Sequence, residues 1–242
     1  STPFDNSSQE YLESAIFTEG ADLDVITDWM GECSAVLDVG AGTLHTAGRL
    51  SACGVSWVAG LDPSLPMLRD GSSRYGSVRP IAGRSEDLPF GRESVEGVVC
   101  RYAAHHFSAP ERFFREAKRI LVPGGTLVLQ DLVVEKADDL GDRINGIAEL
   151  RDPSHGRYRS PSQWRNLVKE AGLVVQEAEH FTLPLNYDDW IERSDPSRDS
   201  RRTIRERFDE LSASQRRRIN LSYTDGEPDS FEYPVMMLRC SL

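Results

Sequence analysis

Two aspartates and two glycines in the first third of the chain have the spacing of a nucleotide-type ligand loop. Asp38 lies in a short apolar strand candidate at 35–39, and Gly40 and Gly42 follow it. Glycines at these positions let the backbone turn sharply and approach a ligand closely. Asp62 ends the next strand candidate, twenty residues beyond Gly42, where a carboxylate can accept hydrogen bonds from a ribose diol.

The residues around the glycines distinguish two ligand classes. A dinucleotide fingerprint has a third glycine, where this chain has His45. Asp38 would repel a pyrophosphate but could hold a cationic amino group, such as the ammonium of S-adenosylmethionine. We expect Thr43 to cap a helix that begins near Leu44, with free amides that could receive an anionic group.

Four motifs in order resemble those of the class I S-adenosylmethionine-dependent methyltransferases. Residues 37–43 (LDVGAGT) are similar to the first motif of that family, and residues 62–68 (DPSLPML) to the second. Residues 85–90 (SEDLPF) and 119–127 (RILVPGGTL) resemble segments of its ubiquinone and menaquinone methyltransferase-like branch. This resemblance implies S-adenosylmethionine as the cofactor and a small molecule as the methyl acceptor.

The motifs and the loop together define the expected cofactor site. Arg101 follows a buried strand directly, so its guanidinium could bind a carboxylate of cofactor or substrate, or could form a structural ion pair. The two loop acids could alternatively bind only backbone amides. The expected cofactor-binding residues are Asp38, Gly40, Gly42, Asp62, Pro63, Met67, Ser85, Glu86 and Arg101.

Two adjacent histidines are the candidates for catalysis. If the acceptor is a hydroxyl or an acidic carbon, a general base near the end of the fourth strand would help, and His105 and His106 lie there. We prefer His106. The alternative is that the pair packs or caps the turn before Pro110. The preferred reaction is methyl transfer to oxygen or carbon, and transfer to nitrogen is less favoured.

Aromatic residues outside the motifs could form an acceptor pocket. The resemblance implies that the N-terminal segment covers the active site, which places Tyr11 and Phe17 near the substrate. Phe17 stands where a bacterial subgroup often has a histidine. Tyr158 and Trp190 lie in the proposed cap insertions and could wall the same pocket.

Two departures from the family pattern suggest a second function. Leu44 stands where the methyltransferase loop usually has its third glycine, and its side chain could crowd the methionine part of the cofactor. Arg84 replaces an aspartate that accepts from the adenine amino group in many relatives. The alternative hypothesis is therefore a cyclase or isomerase with this fold, in which the cofactor is structural or absent.

The alternation of strands and helices predicts a doubly wound α/β fold. The resemblance implies a mostly parallel sheet of seven strands with an antiparallel edge. We expect a helical lid at 1–30 and a domain at 31–242 with cap insertions at about 132–160 and 184–229. The strand candidates are 35–39, 56–61, 78–82, 95–100, 125–131, 173–183 and 231–240, and the helical segments are 43–52, 64–72 and 110–121.

Composition restricts the partners and the compartment. The 242 residues carry a formal net charge of −11, which disfavours nonspecific nucleic-acid binding. The four cysteines lack a paired pattern, so we expect small buried side chains, no metal site and a reducing, cytoplasmic location. No apolar run approaches the ~20 residues of a membrane span. The expected partner is a small-molecule substrate, and the expected state is a monomer or homodimer.

Overall fold

The computed structural model describes residues 8–135 and 139–242. Its centre is an eight-stranded sheet, which confirms the predicted mostly parallel α/β architecture and adds one short strand. The strands are β1 (Ala35–Val39), β2 (Trp57–Asp62), β3 (Arg79–Ala82), β4 (Val95–Arg101), β5 (Leu121–Leu132), β6 (Val174–Asn186), β7 (Ser222–Thr224) and β8 (Glu227–Ser241). Their order is β3-β2-β1-β4-β5-β8-β6, and β7 pairs with β8 outside this path.

Strand direction decides where a ligand can bind. Strands β1 to β5 pair in parallel, so their carboxyl ends lie at one edge of the sheet. Strand β8 runs antiparallel to both β5 and β6. The order reverses at β1, which has β2 on one side and β4 on the other. Ligands of open α/β sheets bind at such a switch point.

Helices cover the sheet and the candidate site, and those predicted at 43–52, 64–72 and 110–121 are confirmed with small shifts of their ends. A 3₁₀ turn at Ala104–His106 follows β4. The helices are α1 (Ser8–Glu13), α2 (Ala15–Thr18), α3 (Ala21–Met30), α4 (His45–Ala52), α5 (Leu65–Arg74), α6 (Pro110–Ile120), α7 (Leu140–Arg151), α8 (Pro161–Glu170), α9 (Tyr187–Glu192), α10 (Arg198–Asp209) and α11 (Ala213–Arg218).

The central strands β1, β2 and β4 are buried on both faces of the sheet, as their continuous apolar sequences require. Neighbouring residues of β1 enter different hydrophobic clusters: Val36 packs with Met30, whereas Leu37 packs in the cluster that contains Phe114 and Trp164. This follows from the alternation of side chains along a strand. Trp164 is thus a core residue.

A third hydrophobic cluster joins parts of the two predicted insertions. Ile144 of α7 packs in it with Trp190, Phe208 and Ile219, and Phe231 of β8 completes it. Residues 1–7 of the predicted lid and residues 136–138 of the first predicted insertion lie outside the described residues. The division into lid, domain and caps stays a prediction.

Two further expectations concern surface residues. The expectation that the cysteines are buried holds for Cys100 and Cys240 but is wrong for Cys53, which is exposed after α4. Arg202 on α10 pairs with Asp199 and Glu206, in line with an expected salt-paired helix. None of the helices within 8–135 and 139–242 is long and apolar enough to cross a membrane.

Candidate active site

A cavity of about 300 Å³ opens at the carboxyl ends of the parallel strands. The cavity is lined by the glycine loop, the N-terminal helices and the segments packed over the sheet. Every residue that the sequence predicts for the site lines this cavity. These residues are Tyr11, Phe17, Asp38, Gly40, Gly42, Asp62, Pro63, Met67, Ser85, Glu86, Arg101, His105, His106, Tyr158 and Trp190.

The backbone amides of the glycine loop donate to acceptors within the protein. Gly40 and Gly42 have φ values of 73° and 49°, in the left-handed region that favours glycine. The amides of Gly40 and Ala41 donate to the Leu61 carbonyl at 2.8 and 3.0 Å, and the Gly42 amide donates to Asp62 Oδ2 at 2.9 Å. Because these donors already have protein acceptors, the loop is poorly suited to receive an anionic group.

Leu44 stands in place of the third glycine, with a left-handed backbone and a buried side chain. It occupies the N-cap position of α4 with φ 65° and no side-chain cap, so the prediction that Thr43 caps this helix is wrong. The Leu44 side chain is fully buried and packs over Gly60 and Gly71. A Cβ added at Gly60 would clash with it. It lies in the hydrophobic cluster beneath the loop, so the expectation that it crowds the ligand is wrong.

Asp38 and Asp62 accept hydrogen bonds from backbone amides and also line the cavity. Asp38 Oδ2 accepts from the Ala47 amide of α4 at 3.2 Å, and Asp62 Oδ1 accepts from the Ser64 amide at 2.8 Å. Each therefore binds backbone amides, and each also lines the cavity. Burial raises the pKa of Asp38 to about 7, the Ala47 amide and Arg101 oppose this shift, and Asp62 adds to it.

Glu86, in the segment expected beside the adenine, binds the residues at the start of α6. Glu86 Oε1 accepts from the amide and hydroxyl of Ser108 and from the amide of Ala109, the N-cap residue of α6. Burial raises the pKa of Glu86, but these hydrogen bonds and that from Ser85 outweigh it, so the pKa lies below its ordinary value. Arg84 is exposed, with its Nε 3.7 Å from Glu86 Oε2.

Arg101 reaches the cavity, but its guanidinium binds the N-terminal segment. Its Nε donates to Asp22 at 2.7 Å, and its Nη1 and Nη2 donate to the carbonyls of Phe17 and Ile16 at 3.0 and 3.1 Å. Gln130 also donates to Asp22, at 2.7 Å. This corrects the expectation of a guanidinium available for a ligand carboxylate and favours the alternative, a structural ion pair.

The two candidate histidines differ in their partners. His105 is buried, with Nδ1 2.6 Å from Asp131 Oδ1, and its backbone amide donates to Asp131 Oδ2 at 2.8 Å. His106 Nδ1 lies 3.1 Å from the Ser154 carbonyl oxygen. Burial lowers the pKa of His106 to about 4, and the adjacent His105 contributes to the shift. Among the described residues, no cluster of three or more His, Cys, Asp or Glu side chains could hold a metal ion.

Known proteins share this chain's sequence and fold. A family model described as a methyltransferase domain matches residues 37–129. The uncharacterized methyltransferase YcgJ of Bacillus subtilis is 34% identical over 247 residues, covering 98% of this chain and 97% of YcgJ. The chain therefore belongs to the class I S-adenosylmethionine-dependent methyltransferases. This confirms the resemblance inferred from the four motifs.

Solved structures agree with the fold of the methyltransferase. The YcgJ crystal structure matches with a TM-score of 0.84 and 32% identity, over 90% of this chain and 96% of YcgJ. A candidate methyltransferase from Bacillus halodurans matches with a TM-score of 0.86 and 26% identity, over 91% and 98% of the two chains. The cyclase SpnF has a TM-score of 0.62 at 15% identity, over 90% of this chain and 79% of its own, which concerns the fold alone.

The side chains of the methyltransferase fit a cationic sulfur nucleoside. Two carboxylates, Asp38 and Asp62, are at least nine-tenths buried and share the cavity. Gly40 leaves no space for a side chain, because a Cβ there would clash with Ala103. Acidic acceptors beside a glycine-containing loop suit an ammonium group and a ribose diol.

Several other polar residues of the cavity wall have no signal of their own in the sequence. Arg151, His155, Arg193 and Tyr233 all line the cavity, and Asp131 supports it from beneath His105. Arg151 and His155 lie within 150–155 (LRDPSH), a segment that resembles the bacterial subgroup, so the motif marks their position without assigning a role. The other three come together only through the folding of distant segments.

Proposed function

We propose that the methyltransferase transfers the methyl group of S-adenosylmethionine to an oxygen or carbon atom of a small molecule. The supporting observation is that one cavity connects the buried acids of the loop with histidines and aromatic rings under the cap. A cofactor at one end and an acceptor at the other would thus meet in a common space. The four unpaired cysteines favour a cytoplasmic location.

The cofactor half of the cavity is assigned by the chemistry of its acceptors. Asp62 would accept from the ribose hydroxyls, Asp38 would bind the ammonium, and Met67 and Ser85 would border the adenosyl part. When bound, S-adenosylmethionine supplies an electrophilic methyl group. The protein therefore mainly has to align the acceptor and exclude water.

We assign the general base to His105 in preference to His106. A carboxylate that accepts from Nδ1 fixes the tautomer and leaves Nε2 to take the acceptor proton. Asp131 has this arrangement with His105. The low pKa of His106, about 4, makes it a weak base near neutral pH. His106 would then shape the pocket through its contact with Ser154.

The cyclase or isomerase alternative has lost its main support. It depends on Leu44 crowding the cofactor and on Arg84 replacing an acceptor for adenine. Leu44 is packed beneath the loop, and Arg84 is exposed and lies beside Glu86. Arg84 lines the cavity and still replaces the adenine acceptor, but Leu44 is buried outside the cavity wall, so methyl transfer is the better proposal.

A screen of small hydroxylated and acidic-carbon acceptors would test the proposal. With S-adenosylmethionine present, a true acceptor should yield equal amounts of methylated product and S-adenosylhomocysteine. With that acceptor, His105→Gln should lower kcat by about 10²–10⁴-fold, and the control His106→Gln should lower it much less. An isomeric product of unchanged mass would contradict methyl transfer, and equal loss in both variants would contradict the assignment of the base.

A further inference from the structure

Two arginines under the cap lack an acidic partner among the described residues. Arg151 ends α7, and Arg193 directly follows α9. Arg151 Nε donates to the Trp190 carbonyl at 2.7 Å, and its guanidinium lies 4.7 Å from the centre of the Trp190 ring. The Arg193 side chain makes no hydrogen bond or ion pair within 8–135 and 139–242. Both residues line the candidate active site.

Burial makes these unpaired charges costly. Arg151 is only 9% exposed and Arg193 is half-buried. Burial, and then the charge of Arg151, lower the pKa of Arg193 below its ordinary value. Arginine nevertheless remains protonated in proteins, so two like charges are held close to one another. An anion between them would offset both the desolvation and the repulsion.

A second cavity, of about 350 Å³, adjoins the two arginines. Arg151, Asp152 and Arg193 line both cavities. The two guanidinium groups therefore border a space that a ligand could fill. Arg193 is only half-buried, so it keeps contact with water and stays charged before an anion binds.

Tyr233 supplies an independent sign of a missing polar partner. Its side chain is 2% exposed, it lines the central cavity, and its hydroxyl has no hydrogen-bond partner among the described residues. Buried hydroxyl groups are normally hydrogen-bonded. The charge of Arg151 acts on this hydroxyl and opposes the increase in pKa that burial causes. Tyr233 and Arg151 line the same cavity, so both can contribute to one ligand site.

The acids nearby leave a net positive charge at this position. Asp152 lines both cavities, but its Oδ1 already accepts from the amide and the hydroxyl of Ser154, at 2.8 and 2.6 Å. Asp189, on α9, also attracts Arg193 but lies outside the cavity wall. Asp195 lines only the second cavity, and its Oδ1 pairs with Arg201 at 2.9 Å. The two arginines and Asp152, which line both cavities, carry a charge of about +1, which matches a monoanion better than a phosphate.

Aromatic rings connect this position to the assigned base. The ring centroids of His105 and Tyr158 are 4.9 Å apart, and those of Tyr158 and Tyr233 are 5.8 Å apart. Trp190 forms another part of the wall. A ring-bearing molecule lying along Tyr158 could thus present one end to His105 and the other to the arginines.

We propose that Arg151, Arg193 and Tyr233 form a subsite for the carboxylate of a small, ring-bearing acid, which is the methyl acceptor. This proposal rests on the proposed function, because it names the substrate class of the same cavity. Arg193 would contribute charge and hydrogen bonds, Arg151 would contribute charge from its position on Trp190, and the Tyr233 hydroxyl would donate to the carboxylate. The cofactor half of the cavity plays no part in this recognition.

Matched pairs of acids and amides would test the subsite. A panel of small ring-bearing carboxylic acids and their primary amides, beginning with para-hydroxybenzoate and para-hydroxybenzamide, is titrated into the enzyme saturated with S-adenosylhomocysteine. Acids should be preferred over their amides. Arg193→Gln should weaken the binding of acids by roughly tenfold to a hundredfold, and Tyr233→Phe by several-fold. Amide binding should change little.

Control variants separate recognition from loss of fold. Arg193→Lys keeps the charge and should retain part of the preference for acids over amides. Arg198 is exposed and lies outside both cavities, so Arg198→Gln should leave the binding of acids unchanged. The proposal is overturned if no acid binds, if amides bind equally well, or if Arg193→Gln keeps the preference. Wild-type enzyme that fails to bind S-adenosylhomocysteine would instead contradict the proposed function.

Discussion

Burial makes the charged form of Asp38 costly unless a cation binds beside it. Its carboxylate is almost fully buried, and burial raises its pKa from 3.8 to about 7. Because the folded protein favours the protonated form, the contribution of Asp38 to stability is fully present below its unfolded pKa of 3.8. It is lost as the pH rises through about 7. A cation bound beside Asp38 would stabilise the charged carboxylate and lower its pKa again.

Asp38→Asn should therefore increase the stability of the protein and decrease its affinity for the cofactor. The amide oxygen can still accept from the Ala47 amide, but no charge has to be buried. We expect the variant to be more stable than wild type by about 1–3 kcal/mol at about pH 8. The gain should be smaller at about pH 5. Its affinity for S-adenosylmethionine should fall, since an ammonium loses a charged partner.

Urea denaturation at the two pH values and calorimetric titration measure these effects. Because asparagine and aspartate have nearly the same size, a change in stability or affinity reflects the lost charge and not a change in packing. A stability difference that does not change with pH would contradict the assigned titration of Asp38. Unchanged cofactor affinity would remove its assignment to the ammonium.

Leu44 should affect stability without affecting the ligand. It packs over Gly60 and Gly71 beneath the loop, so Leu44→Ala should leave a cavity in the core and cost about 2–4 kcal/mol of unfolding free energy. Affinity for S-adenosylhomocysteine should stay the same, as measured by calorimetry on folded protein. Exposed Leu65, on α5, offers Leu65→Ala as a control with little effect on stability. A large change in affinity for Leu44→Ala would show that the side chain faces the ligand after all.

At the scale of elements, polar contacts hold the N-terminal helices against α5 and the end of β4. Ser8 donates to Asp70 of α5 at 2.6 Å, and Arg74 donates to the Leu12 carbonyl at 3.0 Å. Arg101, at the end of β4, holds two carbonyls and Asp22. Aromatic residues Tyr11 and Phe17 of this segment stack with ring centroids 5.2 Å apart and close one side of the cavity.

Arg101→Gln should loosen this segment. Removing one partner of a buried ion pair leaves Asp22 poorly compensated, so amides of 15–24 should exchange with solvent roughly tenfold faster or more. Hydrogen exchange with mass spectrometry would measure this, while strands β1 and β4 should stay protected. Arg49→Gln is the matched control, because Arg49 also pairs with an aspartate of α3, Asp24, but on the exposed surface. Exposed pairs contribute at most about 1 kcal/mol, so equal exchange in the two variants would contradict the anchoring role of Arg101.

The elements differ in how far the sequence predicts them. Strand β1 matches its prediction because a short apolar run between turn residues has few alternatives. Strand β5 starts at Leu121, earlier than predicted, because Leu121 already pairs with Val95 and the pairing with β4 resumes at Thr126 after an irregularity in which Gly124 has φ 80°. Leu44 could not be placed from sequence, since its left-handed backbone turns the side chain into the core and away from the ligand.

At the scale of the whole molecule, the cavity is made from segments that are far apart in the chain. The motif residues could be placed because parallel strands bring their carboxyl ends together. The part of the wall formed by Arg151, Arg193 and Tyr233 could not, because α7, the residue after α9 and β8 bring these side chains to one cavity only in the folded chain. Asp131 likewise meets His105 through the pairing of β4 with β5.

The most direct test of the account is the binding of S-adenosylhomocysteine, because every proposed role depends on a nucleoside held beside Asp38 and Asp62. Titration calorimetry should compare wild type with Asp62→Ala and with Asp87→Ala, an exposed acid outside the cavity wall. We predict that wild type and Asp87→Ala bind alike and that folded Asp62→Ala binds more weakly by about 1–3 kcal/mol. Absence of binding by the wild type, or equal affinity in all three proteins, would contradict the account.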